Sequence, residues 1–215
     1  MSGPFADRRD AGRQLGARLL ELTHRSPIVV ALPRGGVPVA AEVAQILPAP
    51  LEFLAVRKLA PRENPELGIG ALAEDGTCVI DPEAATVLRA LKRDLDSIIA
   101  EQKAELRRRV KTYRGDRPID LRDREVIVVD DGVATGVTDV AALRAVRNQH
   151  PRRVLLAVPV CPPEALERLR GEADEVVALR VPRTMRGVSQ WYEDFSQVSD
   201  EQVLRDLQPR AEAAV

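Results

Sequence analysis

Apolar positions fall into two rhythms along this chain. Near the start, Ala11, Leu15, Leu19 and Leu22 recur at helical spacing, which predicts a helix ending near His24, ahead of the Pro27 boundary. Short apolar runs then take over: PIVVAL, LEFLAVRK, EVIVV, RRVLLAVPV and EVVALRV. Runs without polar alternation predict strands buried on both faces. Between them, Val37 to Leu47, an Ala/Leu/Val stretch ending near Asn148, and Pro162 to Leu169 have helical rhythm. Strands and helices in alternation predict an α/β fold, a mostly parallel sheet with helices on both faces.

Three segments depart from that pattern. Gly70 to Ala73 and Thr77 to Ile80 read as short strands around an Asp75-Gly76 turn. Asp81 is an N-cap candidate with Pro82 behind it, and Leu88, Leu91, Leu95, Ile98, Gln102, Leu106 and Val110 follow at spacings of three and four. A helix from there to about Tyr113 would be roughly 45 Å long, longer than a small domain needs. Beyond Pro182 the strand pattern stops, and Trp191, Tyr192 and Phe195, three of the six aromatic residues, gather in what reads as a small cap. The expected organisation is a core over residues 1–181 with a helical insertion over 81–115, then a C-terminal hood over 182–215.

Composition narrows the function classes. The 215 residues are 45% hydrophobic and 30% charged, without an apolar run long enough to span a bilayer. Thirty-two basic against 33 acidic side chains argue against a protein that coats nucleic acid. Cys78 and Cys161 lack CxxC spacing, and His24 and His150 are the only histidines, so neither a disulfide framework nor a thiolate or histidine metal centre is indicated. The charged start argues against a secretory signal and makes the cytoplasm the expected compartment.

The chemistry concentrates in VIVVDDGVATGVT, Val126 to Thr138. A buried strand ending in Asp130-Asp131 and turning through Gly132, Thr135, Gly136 and Thr138 into a helix aims backbone N–H groups and a positive helix end at one point, where a phosphate fits. The two carboxylates do not suit phosphate. They suit hydroxyls or Mg2+, so the expected ligand carries a phosphate on one side and a diol with a metal ion on the other. Neither GxGxxG nor GxxxxGK[ST] is present. A second strand-to-helix turn, LPRGGVPVA, offers Arg34, Gly35 and Gly36 to another anion. VRKLAPRENPELG then reads as a strand end followed by a long polar loop with Arg57, Lys58 and Arg62 as cationic candidates.

The apolar run, acid pair and T-G-x-T turn resemble the PRPP-binding motif of the type I phosphoribosyltransferase family, where PRPP is 5-phosphoribosyl 1-diphosphate. That resemblance implies the type I fold and an Mg2+-dependent pentosyl transfer from PRPP to a nitrogen acceptor, a nucleobase above all, with release of diphosphate. It implies Asp130 and Asp131 on the ribose hydroxyls, and on the metal directly or through water. It further implies Ala134, Thr135, Gly136, Val137 and Thr138 around the 5-phosphate, with Gly132 and Val133 shaping the loop. Arg34, Gly35 and Gly36 match the loop that holds the diphosphate, often through a strained or cis peptide. Arg57, Lys58 and Arg62 match its mobile catalytic loop, Lys58 foremost. Trp191 and Tyr192 either stack on the acceptor or complete the core. A homodimer is expected, from the long helix and from the family's habit, with neither membrane nor nucleic acid as partner. A PRPP sensor without turnover and a hydrolase acting on a phosphoribosyl donor are the alternatives.

Overall fold

The computed structural model describes residues 3–22, 27–60, 68–81 and 95–208. The N-terminal helix α1 spans Arg8–Leu20, capped by Asp7, whose side chain accepts from the Asp10 amide. Strand β1 (Ile28–Ala31) leads into α2 (Gly36–Ile46), and β2 (Leu51–Phe53) follows. Strands β3 (Val56–Leu59), β4 (Gly70–Ala73) and β5 (Cys78–Ile80) come next, then the long helix α3 (Leu95–Arg114). The remaining elements are β6 (Glu125–Val129), α4 (Val137–Arg147), β7 (Arg153–Val160), α5 (Pro163–Arg170) and β8 (Glu175–Arg180), then a 3-10 turn (Val188–Trp191) and α6 (Asp200–Leu207).

Five parallel strands form the main sheet in the order β2-β1-β6-β7-β8. The predicted α/β class, with helices on both faces, is what the chain adopts. Every residue of β1 and β6 is buried, because alternate side chains feed opposite layers. Val29, Ala31, Ile127 and Val129 join α1 and α2 on one face, while Ile28, Val30, Val126 and Val128 join α4 and α5 on the other.

LEFLAVRK is two strands rather than one. Leu54 and Ala55 leave the main sheet, and the Ala55 amide donates to the Glu74 carboxylate at 2.8 Å. The chain then enters a separate antiparallel sheet, β3-β4-β5. No polar residue marks the break, since Phe53, Leu54, Ala55 and Val56 are all buried on both sides of it. Of the predicted long helix, 95–114 is helical and 82–94 lies outside the described residues. Leu106 is its buried anchor, and Leu95, Ile98, Ile99, Val110 and Tyr113 pack on the same core cluster, so the apolar stripe is used within the subunit.

The sheet order places the site. The chain leaves β1 toward β2 on one side and β6 toward β7 on the other, so the loops after these adjacent strands diverge and open a crevice at the sheet's carboxyl edge.

Leu106 is 3% exposed and Leu20 is 55% exposed. Leu106→Ala should therefore cost about 2–5 kcal/mol in urea unfolding, and Leu20→Ala no more than about 0.5 kcal/mol.

Candidate active site

Two loops meet in the crevice. The loop after β6 begins with Asp130 and Asp131, and its amide at Val133 donates to the Val160 carbonyl at 2.9 Å, which ties it to β7. Gly136 caps α4 in the left-handed conformation, φ 79°, one that a side chain would strain. Among the described residues, the amides of Ala134, Thr135 and Gly136 find no acceptor. Those of the first turn of α4 are free of intrahelical partners by helix geometry. Ala134 and Thr135 are exposed at the mouth of this cradle, and Val137 and Thr138 half-buried. Gly132 and Val133 shape the loop: a Cβ on Gly132 would fall 2.6 Å from Val188, and Val133 is buried.

The loop after β1 packs directly on the acid pair. A Cβ on Gly35 would lie 2.0 Å from Asp131 Oδ2, and one on Gly36 would lie 2.7 Å from the Val129 carbonyl and 3.0 Å from Asp130 Oδ1. The Pro33-Arg34 peptide is cis, as the family resemblance implied. The Gly36 amide donates to the Leu32 carbonyl at 3.0 Å, so it is not available to an anion, whereas the Gly35 amide has no acceptor among the described residues.

Burial dominates the electrostatics of the acids. It raises the Asp130 pKa well above the usual range, and the charges of Asp131 and Asp139 add to the rise. Burial also raises Asp131, against the pull of Arg8, whose Nε donates to Asp131 Oδ2 at 2.7 Å. Arg8 is itself held: it donates to the Ser196 carbonyl at 2.8 Å and lies 3.7 Å from the Phe195 ring centroid. Asp139, 3% exposed in the first turn of α4, is pushed to about 7 by burial and by Asp131, and one of its oxygens has no partner. Burial and Asp139 raise the Cys161 thiol to about 12, which makes it an inert core residue.

Tyr192 stands behind the acids. It is 6% exposed, its hydroxyl donates to the Asp131 carbonyl at 2.6 Å, and its ring packs between Phe5 and Phe195. Trp191 is half-buried in the 3-10 turn and packs on the same cluster. Both aromatics thus pack on the cluster around Phe5.

Two of the three cationic candidates stand at a strand end, as the sequence predicts. Arg57 and Lys58 lie within β3, opposite Leu72 and Ala71 of β4. Adjacent strand residues point to opposite faces, so the structure does not bring the two side chains together. Arg57 turns to α3, where its Nε donates to Gln102 at 2.9 Å. Lys58 runs over Gly68, whose added Cβ would touch its Cε. Arg62 lies outside the described residues. Arg34 reaches Asp200 of α6 at 3.6 Å.

Comparison with known proteins assigns this architecture. The phosphoribosyl transferase domain matches residues 9–189, and the chain belongs to that family. Its fold is that of the type I phosphoribosyltransferases. A Thermus thermophilus crystal structure, that of TT1426, is 46% identical and superposes with a TM-score of 0.77, covering 95% of this chain and 97% of that one. A Mycobacterium tuberculosis protein named putative phosphoribosyl transferase Rv0571c is 44% identical over 204 residues, which are 94% of this chain but 46% of the relative. The chain thus spans about half the length of that relative. A uracil phosphoribosyltransferase of Bradyrhizobium diazoefficiens is 31% identical over 129 residues, 59% of this chain and 57% of that protein.

Two expectations follow. Gly35→Ala should displace the Asp131 carboxylate from Arg8 and lower the melting temperature, as scanning calorimetry would show. Asp139 binds its proton more tightly folded than unfolded, so its contribution to stability falls as pH rises from about 4 to about 7 and is level above that. Asp139→Asn should flatten that part of the stability profile and raise the melting temperature at pH 8.

Proposed function

We propose that the protein transfers the 5-phosphoribosyl group of PRPP to a ring nitrogen of a nucleobase and releases diphosphate. The carrying observation is the contact of the two loops at the switch between β1 and β6, with Gly35 against Asp131 and the unpaired amides of Ala134 to Gly136 beside them. Phosphate cradle, paired acids and arginine-glycine loop thus follow one another along one crevice, in the order of phosphate, diol and diphosphate along PRPP.

In this reading the amides after Val133 and the hydroxyls of Thr135 and Thr138 take the 5-phosphate. The ribose hydroxyls donate to Asp130 and Asp131, whose geometry Arg8 and Tyr192 hold before the ligand arrives, so little reorganisation remains for the reaction itself. The bond from ribose C1 to the diphosphate oxygen breaks with its electron pair on that oxygen. Positive charge develops on the ribosyl ring beside the two carboxylates, and the acceptor nitrogen forms the new bond with its lone pair. Arg34 and the Gly35 amide stabilise the departing diphosphate, with Lys58 as a further cation.

Asp130 and Asp131 fit a magnesium ion held mainly by substrate oxygens and water. They are paired, buried acids, and no cluster of three metal-ligating side chains exists among the described residues. When bound, Mg2+ would neutralise charge on the diphosphate. The uracil enzyme among the relatives makes uracil the first acceptor to test. A homodimer remains part of the proposal, on the commonness of two-fold symmetry rather than on the α3 stripe.

Purified protein with PRPP, Mg2+ and a panel of nucleobases should release diphosphate only with the matching base. Release by water would instead make the protein a hydrolase, and tight PRPP binding without release a sensor. Asp130→Asn with Asp131→Asn should lower PRPP affinity at least tenfold, about 1.4 kcal/mol, while the melting temperature holds or rises as buried like charges are removed. Unchanged affinity would sink the assignment of the acid pair.

A further inference from the structure

Beside Arg34, α3 and β3 build a cluster with three further cations that no step above uses, Arg57, Arg108 and Arg109. Glu105 alone serves three of them. It accepts from Arg108 at 2.8 and 3.0 Å and from Arg109 at 3.0 Å, and Arg57 stands 3.9 Å away. Asp200 serves the fourth, Arg34, at 3.6 Å, and also accepts from the Tyr113 hydroxyl. Four guanidinium groups thus face two carboxylates, a surplus of two positive charges among the described residues.

These are not all freely solvated surface arginines. The side chains of Arg34 and Arg57 are each 30% exposed and that of Arg109 is 15% exposed. Partly buried charge without a full set of counter-ions is costly unless a ligand supplies them. The electrostatics agree with the geometry: burial, then the charges of Arg109, Arg108 and Arg34, lower the Arg57 pKa against the opposing pull of Glu105. Arg108 and Arg109 hold Glu105 at about 2, so its carboxylate stays charged and already shared. The guanidinium forks match phosphate oxygens, and a compact ligand of high negative charge balances the surplus.

We propose that Arg108 and Arg109 of the inserted helix complete a diphosphate-binding site with Arg34 and Arg57, and that Glu105 and Asp200 are place-holding counter-ions which a diphosphate displaces. The inference rests on the phosphoribosyl reading for the identity of the diphosphate, and it adds residues from a segment outside the two loops. Asp200 then has a defined role, since it holds Arg34 until the ligand competes for the same guanidinium.

Calorimetry with inorganic diphosphate and, separately, ribose 5-phosphate, each with Mg2+, tests it. Arg109→Gln should weaken diphosphate binding at least tenfold and leave ribose 5-phosphate binding within twofold. Asp200→Asn should strengthen diphosphate binding severalfold, a gain that a merely structural residue would not give. Unchanged diphosphate affinity in Arg109→Gln overturns the proposal, as does equal loss of both ligands with a lowered melting temperature. Weaker diphosphate binding in Asp200→Asn overturns the place-holder role. Wild-type protein that binds diphosphate but neither ribose 5-phosphate nor PRPP would refute the phosphoribosyl reading while leaving the cation site standing. Wild-type protein that binds PRPP, with Arg109→Gln indistinguishable from it, would do the reverse.

Discussion

Everything at the crevice depends on two missing side chains. With Gly35 and Gly36 in place, the loop after β1 lies against Asp130, Asp131 and the end of β6 at distances that a Cβ would not permit. The parallel pairing of β1 with β6 brings their ends together, and the opposite directions taken by the following chain open the space above them. Sheet topology therefore supplies the location, and the glycines supply the depth. Neither alone would put a cradle for one anion next to a loop for another.

Closeness has an electrostatic cost, which distant parts of the chain offset. Asp130, Asp131 and Asp139 are three acids gathered at one loop, half-buried or buried, and desolvation holds all of them toward the protonated form. Arg8 answers Asp131 from the N-terminal helix, and Phe195 and Ser196 fix Arg8 from the C-terminal segment. The free protein thus keeps its negative charge restrained at the end of β6 and its positive charge in surplus beside the arginine-glycine loop.

How much of this could be read from residues alone follows from range. The turn from β6 into α4 is local: an apolar run, two acids and a glycine that tolerates positive φ stand within a few residues, and backbone chemistry does the rest. The arginine-glycine loop was legible in the same way, whereas its cis peptide was expected only from the family resemblance and the Gly36 amide proved to be engaged by Leu32. Arg8 was not legible, because its partner lies 123 positions away and nothing in RRDAGRQLG distinguishes it from the surface arginines beside it. The division of LEFLAVRK was hidden because the crossing residues are as apolar as the strands they join. Arg57 and Lys58 do end a strand as the residues suggest, and the strand pleat sends their side chains to opposite faces. Tyr192 was found as part of an aromatic group, but only packing shows that its hydroxyl faces the acid loop's backbone.

The two ends of the chain converge on the same spot, with Phe5 against Tyr192 and Arg8 under Phe195. During synthesis this imposes an order. The anion loops leave the ribosome long before residues 192–200, so for that interval Asp131 lacks its tyrosine and Arg34 lacks Asp200. The crevice has the charge pattern described above only once residues 192–200 are in place. Of the elements that build the crevice, this segment is made after the sheet and both loops.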